Sequence, residues 1–318
     1  MELLSDGPFD LAELQQLREA IPELIHFGTS SWNYPEGWRG LVYHRKYPKS
    51  GAVTKMLAEY AEFPLFDIVG IDASFYRPLS ARTYHDYASV LPRGFHCIQK
   101  VWSRITVHTF TGHQDGGLAG QRNPDFLNAE LCVNEVIGPA LEHFGGHQGP
   151  FVLEFQAIAG SERPTGLAFA ERLDAFLGRL PPEARYAVEV RNPEFLVSPY
   201  FATLREHGAA HVLSSWTRMP ALGEQLALPD SVTGPFLLTR ALNRPGRSFE
   251  EAVRAFEPYD RIQDENAELR GDLCRAAERA MRLRIPIYLL VGNRAEGSSP
   301  HSIVAVARMV EKMLEAES

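Results

Sequence analysis

Lys100, Glu154, Glu189, Arg191 and Arg240 each stand at or near the end of a short β-like run, and together they are a set of groups for binding an anion and moving a proton. Side chains alternate along a strand, so residues of one parity share a face. In RYAVEVR (185–191), Ala187, Glu189 and Arg191 fall opposite the apolar Tyr186, Val188 and Val190. The same alternation groups His96, Ile98 and Lys100; Val152, Glu154 and Gln156; and Phe236, Leu238 and Arg240. It also groups His26, Gly28 and Ser30; Gly70, Asp72 and Ser74; and Leu289, Val291 and Asn293. The polar member comes last in nearly every set. Guanidinium forks match phosphate and carboxylate oxygens, so Arg191 and Arg240 suit an anionic ligand. Glu189, Glu154 and Lys100 are the candidates for proton transfer. Asn293, Asp72, Ser30 and Tyr76 complete the expected substrate-binding set.

Each of these residues also has a plainer reading. Glu189 and Arg191 suit a buried ion pair, although desolvating charges costs several kcal/mol per ion unless they are well paired. Lys100 and Arg240 suit strand ends reaching solvent, and Asn293 suits the turn that follows it. Trp32, Tyr34, Trp38, Phe75, Tyr76 and Trp216 suit either an aromatic wall around a mouth or packing beneath loops. His26, His96 and His211 sit inside strand patterns and read as core or bottom-layer groups, whereas His108 and His113 lie in a long connection. No HExxH, HxH or Cys/His cluster occurs, and no metal site or cofactor is expected. GxGxxG, GxxxxGK[ST] and GxSxG are absent too. The carboxylates Asp72, Glu154 and Glu189 suit Mg²⁺ or Mn²⁺, but the nearby cations compete for them.

Eight runs supply the strands that would position these residues: 25–30, 66–74, 94–100, 150–156, 185–191, 209–215, 235–241 and 286–293. Helical spacing separates most of them, as in Val53 to Glu62, Ala81 to Val90, Leu127 to Phe144, Leu167 to Leu180, Pro199 to His207, Asp264 to Leu283 and Ser302 to Leu314. Alternating strands and helices imply parallel pairing through right-handed crossovers, and eight units favour a closed (β/α)₈ barrel over an open sheet. Residues 25–318 are expected to form this single domain. Residues 1–24 are expected to form a helical extension that packs on the barrel bottom. Long connections follow the third strand (Val101 to Asp125) and the sixth (Trp216 to Gly234), both leaving the face where barrel enzymes place their chemistry.

Composition narrows the function classes. The chain has 318 residues, 45% of them hydrophobic, enough for one large core. Its 32 basic and 40 acidic side chains leave a formal charge of −8, which argues against indiscriminate binding to nucleic acid or anionic membrane. No apolar run reaches the roughly 18–20 residues of a membrane span, and the start lacks the pattern of a signal peptide. Cys97, Cys132 and Cys274 are far apart and read as reduced, buried thiols, which fits a cytoplasmic protein.

Several segments together resemble the YecE-like family, domain-of-unknown-function family 72: GTSSWNYPEGWRGLVY (28–43), VGIDASFYRPLS (69–80), LPRGFHCIQKVWSRIT (91–106), AVEVRNPEF (187–195) and the strand end bearing Asn293. The resemblance runs from about residue 26 to residue 307. It implies a TIM barrel with Lys100, Glu189, Arg191, Arg240 and Asn293 as pocket residues, and it supplies no substrate. The chain departs from the family pattern at Gly70-Ile71-Asp72, at Glu154-Phe155-Gln156-Ala157, at Asn192 where a histidine is common, and at Ser214 or Ser215 where an acidic residue is expected. It reads as a divergent member. The favoured expectation is an enzyme acting by acid/base chemistry on a small phosphorylated or carboxylated, sugar-like anion, by hydrolysis, elimination or isomerisation. Two alternatives stay open: a metal-dependent nucleic-acid processing enzyme of endonuclease type, and a non-catalytic anion-binding protein.

Overall fold

The computed structural model describes residues 9–48, 50–111 and 118–317. Its eight strands close into one parallel barrel in sequence order: β1 (Ile25–Thr29), β2 (Ile68–Ile71), β3 (His96–Lys100), β4 (Gln148–Phe155), β5 (Tyr186–Val190), β6 (Ala210–Ser215), β7 (Leu237–Ala241) and β8 (Ile287–Val291). β8 pairs with β1 from Ile25↔Ile287 through Thr29↔Val291, which seals the sheet and leaves no edge. All eight strands expected from sequence are present, each trimmed or shifted by a few residues.

Outside the barrel stand α2 (Ala52–Tyr60), α3 (Ala81–Ala88), α7 (Gly166–Leu177), α8 (Ser198–Glu206), α11 (Ala267–Leu283) and α12 (Ser299–Glu317). A composite helix follows β3, formed by α5 (Ala129–Cys132), a π turn (Val133–Ile137) and α6 (Gly138–His143). The strand faces that meet these helices, among them Val69, Cys97, Leu153, Val188, Leu213, Leu289 and Val291, join the main apolar core. The inward faces form a second, smaller cluster that includes Ile68, Ile98, Val152, Ala187, Val212, Leu238, Tyr288 and Leu290. A barrel whose interior is filled by side chains is a packed core and not a pore.

Three short helices lie in the connections at the C-terminal face: α4 (Ser103–Thr106) after β3, α9 (Leu222–Ala227) after β6 and α10 (Phe249–Phe256) after β7. The two long connections expected after β3 and β6 are therefore partly helical. α10 packs through Ala252 and Phe256 on Tyr259 and Tyr34, apart from the main core. At the opposite end lies α1 (Leu11–Ala20), capped by Asp10, whose side chain accepts from the amides of Ala12 and Glu13. It buries Leu14, Leu17 and the following Ile21, and Arg18 reaches Asp67, just before β2, at 3.1 Å. Among the described residues no helix is long and apolar enough to cross a membrane. Cys97, Cys132 and Cys274 are buried free thiols.

Candidate functional site

Alternation delivers the inward residues of β3, β4, β5 and β7 as expected, and at the C-terminal ends they meet. Glu154 is the hub. Its Oε2 lies 2.9 Å from Lys100 Nζ and 2.8 Å from Arg240 Nη1, and its Oε1 lies 3.0 Å from Arg191 Nη2. Glu189 accepts from Arg240 Nη1 and from Arg191 Nε at 3.3 Å. Asp72 opens the 3₁₀ turn Asp72–Phe75 after β2; its Oδ1 lies 3.1 Å from Lys100 Nζ and 3.6 Å from Arg240 Nη2. Three cations and three carboxylates thus form one network in the barrel mouth.

Depth divides this network. The side chains of Glu154, Glu189 and Arg240 are buried, whereas Lys100 and Arg191 keep 12% and 11% of their surface and Asp72 keeps 33%. Burial alone raises the Glu154 pKa, but Arg191, Lys100 and Arg240 outweigh it and hold the carboxyl below its usual range. Burial likewise opposes the charge of Arg240, and Glu189, Glu154 and Asp72 reverse that effect. Both groups are therefore ionised at neutral pH. Aromatic faces flank the two outer cations: Arg191 lies 3.8 Å over the Trp216 ring and Lys100 lies 5.0 Å from the Phe75 ring centre. Of the six aromatics expected around the mouth, Trp216 and Phe75 make these contacts, while Trp32 and Trp38 are buried in the core.

Asn293 does not share an inward strand face as alternation suggested, and its hydrogen bonds do not reach the network. On β8 the inward residues are Tyr288 and Leu290, and Leu289 and Val291 face the helices. Every position of this strand is buried, so its apolar run carries no parity signal. Asn293 instead begins the 3₁₀ turn Asn293–Ala295 beyond the strand. Its Oδ1 accepts from Ser299 N, Ser299 Oγ and Trp38 Nε1 at 2.9, 2.7 and 3.3 Å. Ser30 is buried at the end of β1. Tyr76 is 59% exposed, its ring edge-on to Phe75, and its hydroxyl takes no part in the ion network.

One participant stood in the sequence only as a departure from the family pattern. Ser214 donates to Glu189 Oε1 at 3.1 Å, and the alternation Ala210, Val212, Ser214 along β6 was the available signal. The histidines expected in the core or the bottom layer lie there: His26 stacks on Tyr288 near His96 at the barrel bottom, both half-buried, and the buried His211 meets the Tyr200 hydroxyl at 3.0 Å. His108 contacts Thr109 beside Glu162, away from the network; His113 falls outside the described residues. Among the described residues no group of three or more His, Cys, Asp or Glu side chains is arranged to hold a metal. A cleft of about 470 Å³ between α9 and the start of α11 is lined by Met219, Leu222, Arg244, Asn266 and Asp272, and none of the network residues lines it.

The family described as "Protein of unknown function DUF72" matches residues 26–317. Two solved structures share the fold. One is a DUF72 family protein from Thermotoga maritima MSB8, 20% identical, with a TM-score of 0.58 over 92% of this chain and 99% of that one. The other is a DUF72 family protein from Enterococcus faecalis V583, 16% identical, with a TM-score of 0.56 over 92% and 97%. No curated protein matches the chain.

Proposed function

The chain belongs to the DUF72 family, and we propose that it is an enzyme acting by acid/base chemistry on a small anionic, sugar-like compound at the C-terminal ends of its strands. One observation carries this reading: a buried charge layer supports an outer layer of charges that keep access to solvent. Buried charges cost desolvation, so a purely structural network would do as well or better with apolar groups in their place. Arg191 uses Nη2 on Glu154 and Nε on Glu189, which leaves Nη1 for a ligand oxygen. Lys100 divides two of its three hydrogens between Asp72 and Glu154 and keeps a third.

Within this proposal the proton-transfer roles shift outward. Glu154 is held ionised by three cations and Glu189 has no exposed surface, so both act by fixing the cations in place. Lys100 and Asp72, in contact at 3.1 Å and nearest to solvent, are the pair that can exchange a proton with a ligand. The test is a thermal-shift screen, followed by calorimetry, with sugar phosphates, sugar acids, neutral sugars and oligonucleotides. Anionic sugars should stabilise the protein, and Arg191→Met should abolish the response. Selective stabilisation by neutral sugars or oligonucleotides would overturn the assignment, and binding without turnover would leave a non-catalytic receptor.

A further inference from the structure

Two polar atoms at the barrel mouth are unused by the ion network. Ser30 Oγ has no hydrogen-bond partner, and Asn293 Nδ2 has no more than a loose contact with the Tyr34 hydroxyl, although Ser30 is only 7% and Asn293 only 3% exposed. A buried polar group left unpaired opposes folding, so its retention calls for a use. The Asn293 amide cannot turn to relieve the deficit. The Ser299 N–H and the Trp38 indole N–H can only donate, so they require the amide oxygen on their side and direct the NH₂ group away. On that side the NH₂ group meets the Tyr34 hydroxyl; burial dominates there and lifts the phenol pKa to about 12, so it stays neutral.

Glycines frame Ser30 unequally. At Gly70 a Cβ would stand 2.5 Å from Ser30 O, so the close approach of β1 and β2 requires glycine there. At Gly292 nothing requires it. The backbone has φ −97°, open to any residue, and a Cβ would meet Ser30 Oγ at 3.5 Å, an ordinary contact. Glycine at this position leaves a methyl-sized space beside an unpaired hydroxyl. β1 and β8 therefore bear uncharged hydrogen-bonding groups, while β3, β4, β5 and β7 bear the charges.

We propose that Ser30 Oγ and Asn293 Nδ2 form a second arm of the binding site, which takes an uncharged hydroxyl or carbonyl oxygen of the ligand while Lys100 and Arg191 hold its anionic group. The proposal rests on the anion reading above and narrows it. The preferred ligand carries an oxygen function several ångströms from its charge, as a sugar phosphate or sugar acid does and a bare anion does not. Both atoms are buried, so the entering oxygen displaces the side chains that now close over them. Tyr34, which packs on Tyr259 at 5.6 Å between ring centres, is the neighbour it meets.

Ser30→Ala and Gly292→Ala test the arm without touching the cations. Melting temperatures are compared first, then calorimetric affinities for glucose 6-phosphate and gluconate against inorganic phosphate and acetate. Ser30→Ala removes an unpaired hydroxyl and Gly292→Ala stiffens an extended position, so both should melt at or above the wild type. Each should bind the better of the two sugar anions about fivefold more weakly, the scale of one lost hydrogen bond, and bind the bare anions as the wild type does. Ser30→Ala melting clearly lower, or both variants keeping wild-type affinity for the sugar anions, overturns the proposal. So does a wild type that binds bare anions as tightly as sugar anions, an outcome that leaves the anion reading standing. A wild type that responds to none of the four probes overturns both.

Discussion

Arg191 and Arg240 carry the same charge in the same network, yet their surroundings predict different consequences of removal. Arg240 touches all three carboxylates and is buried. Without it Glu189 keeps only the 3.3 Å contact from Arg191 and the Ser214 hydroxyl. Arg240→Met should therefore cost about 3–5 kcal/mol, as expected when one partner of a buried pair is removed. Arg191→Met leaves Glu154 with Lys100 and Arg240, and leaves Glu189 with Arg240 and Ser214. It should cost about 1.5–3 kcal/mol, the scale of a hydrogen bond to a charged group. Urea unfolding of the two variants checks the order, and equal losses would show that depth does not rank the cations. Acid stability follows from Glu154. Its pKa is lowered on folding, so its contribution is complete above the unfolded value near 4.5 and is lost as pH falls towards the folded one. A Glu154→Gln variant should be less stable at neutral pH and should lose less further stability below pH 4.5, as read from unfolding free energies across that range.

Strands show where sequence suffices and where it does not. On β5 the polar inward residues interrupt an apolar outward face, and Glu189 and Arg191 were legible from alternation alone. β8 is buried on both faces, and its run Ile287–Val291 reads the same in either register. Asn293 thus lies in a turn beyond the strand, bonded to Ser299 and Trp38, a placement that alternation could not foresee. The pairing pattern was equally hidden, because Glu154 and Arg240 meet across 86 positions of sequence. The β1–β2 seam supplies a test at this scale. Its ladder has only two registered pairs, Gly28↔Ile68 and Thr29↔Val69, and a Cβ at Gly28 would fall 1.9 Å from Ile68 O. Gly28→Ala must push β1 from β2, at about 1–3 kcal/mol or more; wild-type stability in chemical unfolding would refute that contact. On β6, burial lowers the His211 pKa to about 4, so the folded protein keeps it neutral. Between pH 6.5 and 4 the unfolded chain takes up a proton that the folded one refuses, and stability falls by about 3 kcal/mol. His211→Asn should remove that part of the slope.

In the whole barrel the proposed site and the contacts that hold the base lie at opposite ends. At the N-terminal end His26 stacks on Tyr288, Asp67 joins His26 and Arg18, and α1 lies over the core. At the C-terminal end lie the ion network, the unpaired hydroxyl of Ser30 and the loosely held amide of Asn293. The packed interior, from Ile98 and Val152 to Leu238 and Leu290, stands between them. A (β/α)₈ barrel tolerates this division because its strands run the full height while its loops diverge at one face. Removing residues 1–21 would expose the surface that Leu14, Leu17 and Ile21 cover and would break the Arg308–Glu13 and Arg18–Asp67 contacts. At about 1.5–3 kcal/mol for each buried apolar side chain, the loss is on the order of 5 kcal/mol. For a chain of this size that corresponds to a fall in melting temperature of about 10 °C. Arg191→Met, at the other end, should move the melting point less and the ligand response far more. The truncated protein, kept well below its lowered melting point, should bind an anionic sugar with the affinity of the full chain. An affinity lost in proportion to stability would mean that the two ends are mechanically coupled, and the division of labour would fail.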